Sequence, residues 1–268
     1  MPTAPVLPPK SSRERVRPLV IWPGGKARLL DRLLPLIPDD ANLYAEVFCG
    51  GAALLLAKPR HRVEILNDIN GELVALMRNA QRHPEALIEA LGWALLSRAD
   101  FFDRMAHPGA TEIERAATFL LRCRSSFGGG QTSFAVAKRA GAGIDRESMA
   151  RRVREFHART NRVVVENLPW QRLLRNYDSE ASFFFLDPPY VGESTGAYEG
   201  FGQPQMGELA AALRRLKGRW LLTVNDSPAN RSLFSGCTIH PVATKNGKRK
   251  SVSGGTNATF GELIITPT

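Results

Sequence analysis

The stretch Phe183-Phe184-Phe185-Leu186-Asp187-Pro188-Pro189-Tyr190 constrains this chain more than any other. Four apolar residues in a row, without alternation, predict a strand buried on both faces, the kind found inside parallel sheets. Pro188 and Pro189 lack backbone donors and cannot extend a ladder. The strand therefore ends there, and the chain leaves as a stiff, extended segment. An acid and an aromatic ring are thus held at the carboxyl edge of a sheet, where open α/β folds bind their ligands.

The chemistry available there is narrow. Asp187 and the Pro188 carbonyl offer acceptor oxygens, and Tyr190 offers a flat face with a polar tip. Such a set suits an exocyclic amino group on a planar base. Two acceptors hold its N–H bonds while the ring stacks, and the lone pair is turned out of conjugation toward an electrophile. A strand ending in a Pro-Pro turn with a surface acid and ring is the plainer alternative.

Asp187-Pro188-Pro189-Tyr190 resembles the catalytic motif of the Dam-type (D12 class) adenine-N6 DNA methyltransferases. Further segments match that family in order: Trp22-Pro23-Gly24-Gly25-Lys26, Glu46 to Ala52, Asn67-Asp68-Ile69-Asn70, and Asn225-Asp226-Ser227-Pro228. The resemblance spans about Val20 to Thr266. It implies an α/β, Rossmann-like core of seven strands with a helical insertion, S-adenosylmethionine as cofactor, no metal, and double-stranded DNA as substrate. It further implies catalytic roles for Asp187, Pro188, Pro189 and Tyr190, and a cofactor site of Trp22, Lys26, Phe48, Gly50, Gly51, Asp68 and Asp187. In that site Trp22 packs and Lys26 balances the acids.

Composition fits this picture. A chain of 268 residues with 43% hydrophobic content can bury a proper core. The formal charge of +10 favours a polyanionic partner. No apolar run reaches membrane-spanning length, and no signal-peptide pattern opens the chain. Cys49, Cys123 and Cys237 form no CxxC pair, which points to a reducing cytoplasm. The five histidines lack ligand spacing. A monomer is expected, with residues 1–18 as a flexible arm, 19–70 and 161–268 as the catalytic core, and 71–160 as a DNA-recognition insertion.

Along the chain, Gly25-Lys26 ends like a phosphate loop. Val20 stands where the first glycine is required, however, and Ala27 replaces the metal-binding hydroxyl. Ala27–Ile37 predicts an amphipathic helix. Strands are expected at Leu43–Phe48, Val63–Leu66, Val163–Glu166, Phe183–Leu186 and Trp220–Val224, with Thr238–Val242 and Thr259–Thr266 as a closing antiparallel pair. The Cys49-Gly50-Gly51 turn between strand and helix can present backbone N–H groups to a ligand. Asp68 at the next strand tip suits ribose hydroxyls, or it caps the following helix.

Helical patterns fit Leu73–Gln81, Pro84–Ala94, Glu112–Arg122 and Ser148–Arg159, a run too long for an ordinary crossover. Within it, Arg122, Arg124, Ser125, Gln131 and Ser133 are of types that read base edges. Tyr198 is a candidate contact for an extruded base, and Lys245, Lys248, Arg249 and Lys250 form a basic clamp for DNA. Cytosine-N4 or RNA-adenine methylation, or a catalytically dead nucleic-acid-binding module, are the alternatives. Cytosine-C5 chemistry is set aside because no cysteine is suitably placed.

Overall fold

The computed structural model describes residues 15–93, 97–126, 131, 134, 145–190, 201–244 and 260–268. All the anticipated strands form: β1 (Leu43–Glu46), β2 (Val63–Asn67), β3 (Val164–Glu166), β4 (Ser182–Leu186), β5 (Arg219–Asn225), β6 (Thr238–Thr244) and β7 (Phe260–Thr266). They make one seven-stranded sheet in the order β3-β2-β1-β4-β5-β7-β6. β1 to β5 pair with one another in parallel, and β7 runs antiparallel between β5 and β6. The fold is α/β and Rossmann-like. Strand order reverses between β1 and β4, so their carboxyl ends open a crevice at the sheet's switch point.

The apolar run of β4 is explained by this position. All five of its residues are buried. Phe183 and Phe185 join one core with Tyr44, Leu66 and Leu221, while Phe184 and Leu186 join the other with Ala45, Val47 and Ile65. Period-two side-chain alternation therefore feeds two cores, and a polar residue anywhere in the run would be buried.

Helices cover both faces. α2 (Ala53–Ala57), α3 (Gly71–Arg82), α4 (Pro84–Gly92), α6 (Glu112–Ser125) and α7 (Arg146–Thr160) share the first core. Three of them start on side-chain caps: Asn70 accepts from Leu73 N, Asp145 accepts from Glu147 N, and Thr111 and Glu114 form a capping box. α8 (Trp170–Tyr177), α9 (Gln203–Leu213) and α10 (Pro228–Leu233) cover the second face. α5 (Arg98–Ala106), α8 and α10 are additions to the elements anticipated from sequence. The helix expected over Ala27–Ile37 is broken into a 3-10 turn (Lys26–Arg28), a single α turn (α1, Leu30–Leu33) and a second 3-10 turn (Leu34–Leu36). Pro35 has no N–H to continue the ladder, and Lys26 is drawn inward. Among the described residues, no helix is long and apolar enough to cross a membrane.

A buried ionic cluster fastens α7 to the sheet. Glu64 of β2 lies 2.5 Å from Lys58 Nζ and 2.6 Å from the Arg159 guanidinium. Arg159 also donates to the Leu55 carbonyl at 2.6 Å, and Lys58 Nζ sits 4.0 Å above the Tyr44 ring. Burial would raise the Glu64 carboxyl, but Arg159 and Lys58 outweigh it and hold its pKa below the ordinary value. Burial also pulls Lys58 down to about 8, against the attraction of Glu64.

Candidate active site

β4 ends at Leu186, and Asp187 stands one step beyond it, beside the carboxyl end of β1 where Glu46 pairs with Phe185. A cleft of about 500 Å³ opens here, lined by Trp22, Lys26, Glu46, Phe48, Gly50, Gly51, Phe185 and Asp187. Its size falls in the range of small-molecule sites. Arg17, Arg124 and Arg152 form part of the same wall.

One cation and two carboxylates dominate its chemistry. Lys26 Nζ lies 2.7 Å from Asp187 Oδ1 and 3.1 Å from Glu262 Oε1, and donates to the Gly24 carbonyl at 2.8 Å. The Tyr190 hydroxyl donates to the same Glu262 oxygen, and Lys26 Nζ sits 5.1 Å from the Tyr190 ring centre. Thr223 of β5 donates to Asp187 Oδ1 at 2.8 Å. Burial pushes the Asp187 carboxyl up, against the pull of Lys26. Burial would lower the Lys26 ammonium, yet the two carboxylates hold its pKa above the usual lysine range.

Glu46 forms the second acidic point. Its Oε1 accepts from Tyr44 OH at 3.0 Å and from Leu55 N at 2.5 Å. Burial pushes its pKa up to about 7 despite those donors and the charges of Lys58 and Arg159.

The glycine turn is built around Trp22. Gly50 has φ +46, and a Cβ there would meet the Trp22 indole at 2.6 Å. Asp68 Oδ2 accepts from Gly50 N at 3.0 Å, and its Oδ1 accepts from Asn70 N at 2.9 Å. Asp68 thus braces the turn from below, while Asn70 supplies the cap of α3. Ala52 takes the left-handed conformation at φ 57, which a glycine would adopt with less strain.

The comparisons with known proteins bear on this arrangement. A model of the D12 class N6 adenine-specific DNA methyltransferase family matches residues 22–247. The chain belongs to that family. It is 26% identical over 284 residues to the type II methyltransferase M1.LlaDCHI of Lactococcus lactis subsp. cremoris, covering 96% of this chain and 97% of that one. It is 24% identical over 250 residues to the type II methyltransferase M.CviBI of Paramecium bursaria Chlorella virus NC1A, covering 89% and 94%. To the DNA adenine methylase of Haemophilus influenzae it is 27% identical over 248 residues, covering 84% and 85%. It is an adenine-N6 DNA methyltransferase by family, and such enzymes draw on S-adenosylmethionine.

In this methyltransferase four of the residues picked from sequence as base readers, Arg122, Arg124, Ser125 and Gln131, are engaged within the protein. Arg122 donates to Glu72 at 3.0 Å and to Gln131 at 3.1 Å, and Gln131 N donates to the Ser126 hydroxyl. Ser125 is 6% exposed, and its hydroxyl donates to the Leu121 carbonyl. Arg124 donates to the Leu19 carbonyl at 2.8 Å; burial and the nearby Arg152 charge lower its pKa to about 10. Ser133, Tyr198, Lys245, Lys248, Arg249 and Lys250 lie outside the described residues.

The Asn225-Asp226-Ser227-Pro228 segment is also internally occupied. Asp226 pairs with Arg231 at 2.6 Å, Ser227 caps α10, and Asn225 accepts from Asn230. Phe48 meets Phe201 edge-on at 5.8 Å, which ties the glycine turn to the chain entering α9. Sequence reasoning missed Thr223 and Glu262. Thr223 sits between Leu222 and Val224, and Glu262 directly precedes Leu263-Ile264-Ile265; a polar residue set against such apolar neighbours was the available signal. Among the described residues, no cluster of His, Cys, Asp and Glu could hold a metal ion.

Proposed function

We propose that this enzyme methylates the N6 amino group of an adenine that has left the stack of double-stranded DNA. An amino group cannot be approached inside the duplex, so extrusion is required. Asp187 Oδ2 and the Pro188 carbonyl accept the two amino hydrogens, with Pro189 stiffening the turn and Tyr190 stacking on the base. The observation that carries this reading is the placement of Asp187. It lies at the tip of β4, with Oδ1 held by Lys26 and Thr223 and no described donor on Oδ2, in a cleft shared with Trp22 and the glycine turn. The chain works as a monomer in the cytoplasm. Residues 71–160 serve DNA recognition, and the basic wall of Arg17, Arg124 and Arg152 fits a polyanion.

The cleft suits S-adenosylmethionine. Trp22, Phe48, Gly50 and Gly51 offer an apolar and backbone lining, and Glu46 and Asp187 offer acids to a cationic ligand. Asp68 supports the ribose end through the Gly50 turn that it holds. When bound, the cofactor supplies an electrophilic methyl on a sulfonium: one N–C bond forms as one C–S bond breaks, leaving a neutral thioether. The developing positive charge on N6 is supported by Asp187, whose carboxylate accepts the released proton. The burial that raises Asp187 makes it a better acceptor. This chemistry calls on no metal and no covalent intermediate.

Glu46 gives the cofactor site a pH dependence. A cation bound beside it favours its ionised form, so below about 7 binding must release a proton. With the bound cation lowering the Glu46 pKa by about one unit from about 7, affinity for S-adenosylmethionine is expected to rise roughly fivefold from pH 6 to pH 8 and then level. Calorimetry across that range, in buffers of different ionisation enthalpy, should show the proton. Glu46→Gln should flatten the curve, and an unaltered slope in that variant would exclude Glu46 as its source.

The function is tested by incubating the enzyme with duplex DNA and methyl-labelled S-adenosylmethionine, then separating the nucleosides. Label in N6-methyldeoxyadenosine is expected. Label in N4-methyldeoxycytidine would shift the assignment to cytosine, and cofactor binding without incorporation would leave a binding module.

A further inference from the structure

We propose that Glu262 is a positioning residue for methyl transfer, holding the Tyr190 phenol and the Lys26 ammonium so that Asp187 keeps one oxygen for the substrate. The inference rests on the reading of Asp187 and Tyr190 given above and extends it to β7, a strand on the far side of β5 from the Asp187 loop.

Glu262 is 8% exposed in a strand that otherwise buries Leu263, Ile264 and Ile265. A carboxylate is costly in such a place unless it is paired and hydrogen-bonded. Both conditions are met by the active site itself: its Oε1 takes the Tyr190 hydroxyl and faces Lys26 Nζ at 3.1 Å. Lys26 is in turn shared with Asp187 Oδ1, which also receives the Thr223 hydroxyl. Five side chains from β5, β7, the glycine-lysine turn and the catalytic loop thus form one connected set.

The connection has a specific consequence for each partner. Tyr190 follows two prolines and leaves the sheet; its hydroxyl bond to Glu262 fixes the ring plane on which a base would stack. Lys26, drawn between two carboxylates, cannot settle wholly on Asp187. Without Glu262 the ammonium would pair with Asp187 alone and weaken it as an acceptor for amino hydrogens. The Tyr190 hydroxyl would also lose this acceptor.

The test compares Glu262→Ala and Glu262→Gln with Tyr190→Phe, singly and combined, for kcat and for KM toward S-adenosylmethionine. Glu262→Ala is expected to lower kcat by roughly 100-fold, the scale for losing an oriented electrostatic partner, with KM for the cofactor within about threefold. Glu262→Gln keeps an oxygen for the Tyr190 hydroxyl but not the charge, and should recover part of the loss. In the Tyr190→Phe background the Ala substitution should cost less than it does alone, because the two groups act as a unit. A Glu262→Gln enzyme with wild-type kcat, or strict additivity with Tyr190→Phe, would overturn the proposal. Asp187→Ala in the same assay separates the two levels. If it is inactive while the Glu262 variants run at full rate, only the Glu262 role fails. If it stays active, the reading beneath it fails as well.

Discussion

Replacing Asp187 with alanine is expected to lower kcat by at least about 10³-fold while S-adenosylmethionine affinity changes by less than about tenfold. The carboxylate is the acceptor for the amino hydrogens, the support for charge developing on nitrogen, and the proton acceptor afterwards. These roles act in the transition state, so the loss should appear in kcat rather than in cofactor binding. The fold should survive. Lys26 would keep Glu262 at 3.1 Å as a single counter-ion, so no uncompensated buried charge is created. Asp187→Asn retains the shape and one acceptor oxygen but loses the charge, and should fall between the two. Radiolabel transfer to DNA gives kcat, and calorimetry gives the affinity. Near-normal turnover by Asp187→Ala would remove it from the mechanism.

The largest effect on stability is expected at Glu64. Lys58 and Arg159 side chains are 1% and 9% exposed and share this one carboxylate. Glu64→Leu would leave two cations facing each other in the core. Breaking a buried pair in this way costs about 3–5 kcal/mol, enough to lower Tm by on the order of 10 °C in a chain of this size. Lys58, already pulled to about 8, can escape by releasing its proton. In the variant its folded-state pKa lies below its unfolded value, so stability is present at high pH and lost as pH falls through the folded pKa. The defect should therefore be larger at pH 6 than at pH 9. Replacing Lys58, Glu64 and Arg159 together with Met, Leu and Met should restore much of the loss, since matched apolar replacements remove the charges at once. Urea unfolding at both pH values measures this. A Glu64→Leu cost under about 1 kcal/mol would show that the cluster is not a counted ion set.

Much of the sheet was legible because its strands carry unusual local signals. β4 is apolar on both faces and ends at two prolines; β1 and β2 end in a glycine turn and an Asn-Asp pair. These features are set by burial and by backbone chemistry, which short windows of sequence report. α8 was legible too and was missed. Trp170, Leu173, Leu174 and Tyr177 keep helical spacing over an element of only eight residues. α10 opens on Ser227-Pro228, a start signal hidden inside a segment matched as a functional motif.

The parts that were not legible are those that depend on distance in three dimensions. Glu262 meets Tyr190 across 72 positions of sequence, and Arg159 meets Glu64 across 95. Neither spacing carries a local pattern. Arg122 and Ser125 have the chemistry of base readers, yet helix packing turns the first to Glu72 and the second back onto Leu121. Gly50 looks like a glycine placed for a ligand, and the nearest atoms to its missing side chain belong to Trp22. Residue type indicates what a group can do, and packing decides which neighbour receives it.

The central claim is that the Asp187 carboxylate and the Pro188 carbonyl grip the amino group of an extruded adenine beside the cofactor cleft. A crystal structure of the enzyme with an unreactive cofactor analogue and duplex DNA carrying its mapped methylation site tests this most directly. The account predicts the target adenine out of the helix, with N6 in hydrogen-bond reach of Asp187 and of the Pro188 oxygen, and its ring against Tyr190. An adenine still paired in the duplex, or an extruded base bound away from Asp187, would contradict it.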